Sequence, residues 1–429
     1  MASKQNFSVV VDLGTSKMVA LAGKLTELGK MEILGTAQIS SKGIKRGVIV
    51  NIEEAAEALG DLLDLLENQL DEKPEQVHVA FAGSKMQTID YRATSLTSGE
   101  GFVTAPDVQR LLDEAERVEI QQDYKVVQVI PTSYIIDDEH EVEKPVGSTG
   151  RKIEANFKLV VMPTQYVNNL KLVFDKAGVE LGEIVHASLA VSEAVLSSEE
   201  KEVGVIVMDF GAGTTNIAVF QDNVLKHTAV VPFGGQVVTN DIKEGCSIFL
   251  KKAELLKVKY GQAMGDFADE QKVVTIAGEN GWEPRDISFK SLAYIIQARL
   301  EEIIECVNIQ IEKSGIENNL GSGIVITGGT AKLDNMISLV KFKTAMDARN
   351  AHPVIHPVNR KEEFRNPELF TALGTLKLML SSTGTGTVTE RVQVKSSKKK
   401  ERRFGPLFKD VVQGALNLFD TDGSDAELN

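Results

Sequence analysis

The chain has 429 residues, with 47 basic and 61 acidic side chains, a net charge of −14 and an apolar fraction of 42%. This composition excludes a disordered chain, and an acidic body argues against nonspecific nucleic-acid binding. Two cysteines, Cys246 and Cys306, exclude a disulfide framework or a cysteine-based metal site and suit a reducing cytoplasm. No apolar run approaches the ~18 residues of a spanning helix, and the first strand starts too early for a secretory signal ahead of it. Charge is uneven: residues 391–410 hold eight Lys/Arg and two acids, residues 411–429 four acids, and residues 1–390 sum to −16.

Residues 8–21 (SVVVDLGTSKMVAL) read as an apolar strand, an Asp-x-Gly turn and a second apolar strand. A helix follows over 52–70, where Ala55, Ala56, Leu59, Leu62, Leu63, Leu66 and Leu70 keep three–four spacing. Residues 77–82 form a strand. The block 84–158 turns to short strands around one helix, 105–116, capped by Thr104 or Asp107. Residues 159–162 return to the first lobe and lead into a helix over 164–177. Residues 205–220 (VIVMDFGAGTTNIAVF) repeat the opening hairpin, so two related lobes are expected rather than a solenoid. Residues 236–320 are mainly helical, the longest helix spanning 288–313 with Leu292, Ile295, Ile296, Leu300, Ile303, Ile304 and Val307 on one side. A third glycine-ended strand (323–330, GIVITGGT), a final helix over 367–380 and a Ser/Thr/Gly-rich linker complete the body.

The two hairpin tips share a physical logic. Gly14, Gly211 and Gly213 let backbone approach an anion closely, and successive N–H groups in such a turn make a concave donor set for phosphate. Thr15, Ser16, Thr214 and Thr215 add hydroxyls, and Lys17 adds a point charge. Asp12 and Asp209 are like-charged with phosphate and fit better as holders of Mg²⁺ through its retained waters. Gly328 and Gly329 supply a third glycine turn. The histidines are scattered and show no metal-ligand spacing.

With these motifs the chain resembles the actin-like ATPases and, among them, the FtsA family of bacterial cell-division proteins. VVVDLGTSK, PVGSTGR (145–151), HTAVVPFGGQVVTNDI (227–242), AELLKVKYG (253–261) and GIVITGGTAKLDNM occur in that family's order. The resemblance implies an α/β, ribonuclease-H-like fold of two lobes clamping ATP, with an α+β module inserted in the first lobe and a C-terminal amphipathic helix. It implies subdomains as follows: 1–83 and 159–200 with the final helix as a 1A-like core, 84–158 as a 1C-like insert, 201–236 and 315–366 as a 2A-like core, and 237–314 as a 2B-like helical subdomain. It assigns Gly234 and Gly235 to the turn after the second hairpin, Glu254 and Lys257 to ribose and base, and Gly328 and Gly329 to adenosine. From the residues alone, Glu254 and Lys257 read rather as a solvated helix pair; the resemblance turns the reading to nucleotide contact.

Enzymatic members of the superfamily place Glu, Gln or Asp at the start of the helix before the second hairpin. Here Ala187 takes that place, with His186 adjacent and Glu193 nearly two turns later. A positioned base contributes ~10²–10⁴-fold, so ATP is expected to act as a structural and switching ligand with weak turnover at most. The resemblance further implies an adaptor that polymerises, tethers FtsZ to the cytoplasmic face of the cell membrane at the division site, and recruits later division proteins through the insert. Arg285, Lys290 and Arg299 are the candidate contacts for the FtsZ tail. The alternatives are a small-molecule kinase, for which no substrate base is evident, and a pilus-assembly scaffold, which would lack the tail described next.

A flexible linker over 381–403 ends in Lys398, Lys399, Lys400, Arg402 and Arg403, and Phe404, Leu407, Phe408, Val411, Val412, Ala415, Leu416 and Phe419 follow on one helical face. A basic run beside an amphipathic helix (404–419) points to an anionic lipid surface; docking on the protein's own core or in a partner groove is the alternative. The acidic end, 420–429, has no assignment.

Overall fold

The structure, a computed structural model, describes residues 7–384 apart from 71, 100, 121–122, 278–282, 317–319 and 361. The linker beyond 384, the amphipathic helix 404–419 with its neighbouring cations, and the acidic end lie outside the described residues.

Two five-stranded mixed sheets form the lobes, built alike. In the first, the hairpin Ser8–Leu13 and Lys17–Leu25 continues antiparallel into Met31–Ser40. On the other side of Ser8–Leu13, Gln76–Phe81 and then Glu180–His186 add in parallel. In the second, Val205–Phe210, Thr215–Gln221 and Val224–Val231 repeat the antiparallel set, and Ile324–Thr327 and Ala348–Asn350 repeat the parallel pair. The hairpin's first strand is therefore central in each lobe, and Val9–Val11 and Val205–Met208 are buried as near-continuous apolar runs.

The helix expected over 52–70 is Ile52–Glu67, whose Asn51 side chain accepts from the N–H groups of Glu53 and Glu54. With Thr164–Lys176 it covers one face of the first sheet. The helices Ala187–Val195 and Phe370–Gly384 cover the other face. Ala187–Val195 is buried almost all round, because Leu189, Val191 and Val195 also pack against the second sheet. The final helix runs past the expected Leu380 to Gly384, and the Ser381 hydroxyl donates back to the Lys377 carbonyl at 2.8 Å in its last turn.

The insert differs from expectation in strand length. Gln87–Leu96, Tyr124–Ile136 and Lys152–Pro163 are ten, thirteen and twelve residues long and form an antiparallel sheet with the short His140–Val142. Pro131 and two bulges break the alternation that would have revealed the long strands. Residues 159–162 belong to the insert's sheet and not to the first lobe's. Only their side chains are divided, with Leu159 and Val161 in the insert core and Val160 and Met162 in the first-lobe core. The helix Ala105–Glu116 carries a capping box that uses both residues singled out in the sequence: Asp107 Oδ2 accepts from the Thr104 N–H at 2.8 Å and from its hydroxyl at 2.6 Å.

In the second lobe Gly235–Cys246, Leu250–Tyr260 and Phe289–Ser314 make the helical part, joined by an unforeseen hairpin of Val273–Ile276 with Arg285–Ser288. The long helix buries the expected stripe except Ile295, which is half-buried against Gly245.

Candidate nucleotide site

Both glycine tips lie at the same place in their sheets. Asp12 pairs across to Ala80 and Asp209 to Thr327, each one residue before its hairpin's first strand ends. The tips also meet. A Cβ on Gly213 would lie 2.3 Å from Thr15 Oγ1, so glycine is needed where the second tip crosses the first. The same Thr15 hydroxyl oxygen accepts the Gly47 N–H at 3.0 Å. Arg46 and Gly47, both left-handed (φ 48° and 69°), form the tip of a small hairpin between Ile44–Lys45 and Val48–Ile49 that sequence reading missed, because Arg-Gly is not among the Asn-Gly, Asp-Gly and Gly-Gly pairs that mark such a turn. The Arg46 guanidinium sits 5.8 Å from the Phe233 ring, linking the lobes at a second point.

Asp12 and Asp209 face each other electrostatically. Burial first, then the Asp209 carboxylate, pushes Asp12 up to about 7, with the Lys17 ammonium opposing. Burial also raises Asp209, against the Asn216 amide, which donates to Asp209 Oδ2 at 3.2 Å, and against Lys17. Asn216, Asp209 and Thr327 stand abreast on three adjacent strands, and Asn216 Oδ1 and Thr327 Oγ1 are buried without a partner. Two crowded carboxylates and unpaired oxygens beside them suit a hard divalent cation. Among the described residues no cluster of three or more His, Cys, Asp or Glu could cage a metal.

The remaining expected residues divide. Gly234 and Gly235 serve internal close approach: a Cβ on Gly234 would meet Gly211 O at 2.5 Å, and one on Gly235 would meet Thr330 Oγ1 at 2.4 Å. The Gly235 and Gln236 N–H groups donate to Gly211 O and Ala212 O at 2.9 and 2.8 Å, docking that helix start on the second tip. The Thr215 hydroxyl is buried and donates to Phe233 O at 2.9 Å, so it is turned away from the tip. Lys257 is only 8% exposed and spends its N–H groups on Gly235 O (2.9 Å), Thr239 Oγ1 (2.7 Å) and Glu254 Oε2 (2.7 Å). Burial lowers its pKa against the Glu254 carboxylate, which is the exposed member of the pair. Gly328, at φ 89°, passes under Asp209 Oδ1, whereas the side-chain direction of Gly329 opens into free space. Thr330, not anticipated from sequence, ties this turn to the second tip by donating to Gly211 O at 3.0 Å.

Ala187 is buried with Ala80 and Ala82 against Val230. His186 caps its helix, Nδ1 accepting from the Ser188 N–H at 3.2 Å, and burial drops its pKa to about 4. Glu193 is bound by Lys201 and by Lys377, the latter at 2.9 Å. The three candidate FtsZ contacts are also engaged internally. Arg299 forks onto Asp241 and reaches Glu302, Lys290 pairs with Glu270, and Arg285 donates to Cys246 O at 3.4 Å.

A family model described as cell division protein FtsA matches residues 206–374, and one described as the SHS2 domain inserted in FtsA matches residues 83–161. Over 388 residues the chain is 31% identical to the cell division protein FtsA of Pseudomonas aeruginosa, covering 90% of this chain and 93% of that one. The chain belongs to the FtsA family of cell division proteins. The FtsA of Bacillus subtilis is likewise 31% identical, over 86% of this chain and 82% of its own. Among solved structures, the PilM–PilN type IV pilus biogenesis complex aligns with a TM-score of 0.61 at 14% identity, covering 87% of this chain and 98% of its own. MreB 5 of Spiroplasma citri bound to AMPPNP aligns with a TM-score of 0.56 at 14% identity, covering 90% and 100%. At such identities the likeness is one of fold: this FtsA-family chain has the actin-like two-lobed α/β fold with an SHS2 insert. Among the described residues no helix is long and apolar enough to cross a membrane.

Proposed function

We propose that this FtsA-family protein binds ATP with Mg²⁺ between its lobes as a structural and switching ligand, and tethers the FtsZ ring to the inner face of the cytoplasmic membrane. The observation that carries the nucleotide reading is the meeting of the two glycine tips, Gly213 against Thr15, with Asp12 and Asp209 behind them. Backbone N–H groups of residues 14–16 and 212–214, with Lys17, would take the phosphates; the Gly211 N–H is spent inside its own tip on Thr214 O at 3.0 Å. Asp12 and Asp209 would hold the metal through water, and the metal supplies neutralisation of the triphosphate. The open face at Gly329 suits a flat base lying on backbone, with Glu254 toward the ribose and Lys257 fixing Glu254 and Gly235.

Hydrolysis lacks a base in this reading. Ala187 carries none, His186 is spent as a helix cap, and Glu193 is clamped by two lysines. The tail supplies the membrane link: Lys398 to Lys400, Arg402 and Arg403 at anionic headgroups, worth ~1 kcal/mol each, and the apolar face from Phe404 to Phe419 in the lipid. One such anchor is reversible, and polymerisation would multiply it. The FtsZ tail would dock on 237–314, where Leu255 and Val258 are exposed beside Lys251 and Lys259 on one helix, with Arg285, Lys290 and Arg299 exchanging their internal partners for its acids. The insert, 84–158, is assigned to polymer contacts and to later division proteins.

Co-sedimentation with anionic vesicles tests the tether. FtsZ is expected in the vesicle pellet only when the full-length chain is added, and deletion of residues 398–429 should abolish recovery while MgATP binding persists. Unchanged recovery after the deletion refutes the anchor.

A further inference from the structure

The Lys17 ammonium at the first phosphate tip is already in contact with an anion, and that anion comes from outside both hairpins. Lys17 Nζ lies 2.6 Å from Glu368 Oε2, with the two side chains 22% and 24% exposed. The other oxygen, Oε1, receives Lys332 Nζ at 2.7 Å, and Lys332 also donates to Asn366 Oδ1 at 3.1 Å. Asn366 Oδ1 in turn caps the turn Pro367–Leu369 by accepting the Glu368 N–H at 3.3 Å. The three charged groups come from three places. Lys17 opens the second strand of the first-lobe hairpin, Lys332 closes the turn after Gly328 and Gly329 in the second lobe, and Glu368 precedes the final helix. Burial alone would raise the Glu368 carboxyl, but the two lysines hold it down to about 2, so it is an anion throughout the physiological range.

We propose that Glu368 competes with nucleotide phosphate for Lys17, and that Lys332 retains the carboxylate when Lys17 turns to the phosphate. This rests on the nucleotide reading above. An ammonium has three donors but one charge, and a carboxylate and a phosphate drawn to it repel each other. Glu368 therefore lowers affinity for phosphate-bearing ligands, and its hold on Lys332 links the exchange to the second lobe. Glu368 is a positioning residue in this scheme; it acts through Lys17.

Calorimetric titration of the full chain with MgATP, MgADP and adenosine tests it. A partly exposed ion pair contributes up to ~1 kcal/mol, so Glu368→Gln should tighten MgATP and MgADP about three- to fivefold and leave adenosine, which has no phosphate, unchanged. In a Lys17→Met background the same substitution should have no effect. Lys332→Met leaves the carboxylate to Lys17 alone and should weaken MgATP but not adenosine, which keeps the test open if the glutamine variant folds poorly; adding Glu368→Gln should restore it. Unchanged or weaker MgATP binding in Glu368→Gln, or adenosine moving in step with ATP, overturns the competition and makes Glu368 a structural brace. A wild-type chain with no saturable MgATP binding fails earlier, sinking the nucleotide reading and this inference together.

Discussion

Asp12 allows the site to be tested without nucleotide. Its carboxyl titrates near 3.8 in an unfolded chain and at about 7 in the fold, raised by burial and then by Asp209, with Lys17 opposing. The folded protein therefore binds an extra proton between about pH 4 and 7. The stability this confers is complete below the unfolded value and is lost as pH rises through the folded one. Above pH 7 the ionised group is a net cost. A displacement of roughly three units at ~1.36 kcal/mol each sets a ceiling of about 4 kcal/mol. Asp12 is only half-buried at the cleft, and water there screens it, which brings the expectation to about 1–2 kcal/mol.

Asp12→Asn keeps the shape and removes the charge. In urea denaturation with EDTA at pH 8, the asparagine variant should be the more stable by that amount, and the advantage should shrink to less than half at about pH 4, close to the unfolded value. With Mg²⁺ and ATP present the order should reverse, because only the wild type gains full ligand stabilisation. An asparagine variant no more stable than wild type at pH 8, or one whose advantage is the same at both pH values, refutes the claim that the two carboxylates are crowded for a cation.

Three further outcomes can be measured. Gly213→Val places its Cβ 2.3 Å from Thr15 Oγ1 and must part the tips; MgATP affinity should fall more than tenfold in titration, with circular dichroism unchanged. Gly374→Ala sets a Cβ 1.7 Å from the Ala190 carbonyl oxygen. That clash is with backbone, so the ~1 kcal/mol that alanine gains as a helix former is outweighed by an overpacking cost of about 3 kcal/mol or more, read as a melting point several degrees lower. Steady-state ATP turnover should stay below about 1 s⁻¹, under the ordinary enzyme range; faster phosphate release would show that some other group serves as base.

The features legible in the sequence are those whose partners are local. An Asp-x-Gly turn between apolar strands, a three–four stripe and a Thr104–Asp107 cap each place their residues within a few positions of one another, and the hairpins, the helix Ile52–Glu67 and the insert helix all formed at or near those positions. The long insert strands were hidden because Pro131 looks like a break. It lies beyond the reach of His140–Val142, which pairs only with residues 134–136, so among the described residues no second strand pairs with it on that side. The roles within the site were less legible. Gly234, Gly235 and Thr215 read as ligand contacts, yet their chemistry is directed at Gly211, Ala212 and Phe233. Pairs such as Lys17 with Glu368 join residues at opposite ends of the described chain, and nothing in local spacing marks them.

The residue at position 187 connects the chemistry to the architecture. The helix it begins runs between the two sheets, and it fits there because Ala187, Ala190 and Ala194 are small and Gly374 of the final helix lies directly on its backbone. A glutamate at 187 would set a charge among Ala80, Ala82 and Val230, where no partner is at hand and desolvation would cost several kcal/mol. On the proposed reading, the small residue that leaves position 187 without a base is also the one that packs closely at the back of the cleft. A nucleotide held between Gly213, Thr15 and Gly329 would then act on a molecule whose lobes are joined tightly behind it and by ion pairs in front. Its effect would be to fix the lobe arrangement for as long as it stays bound, which suits the polymer-forming adaptor proposed above and which rapid hydrolysis would undo.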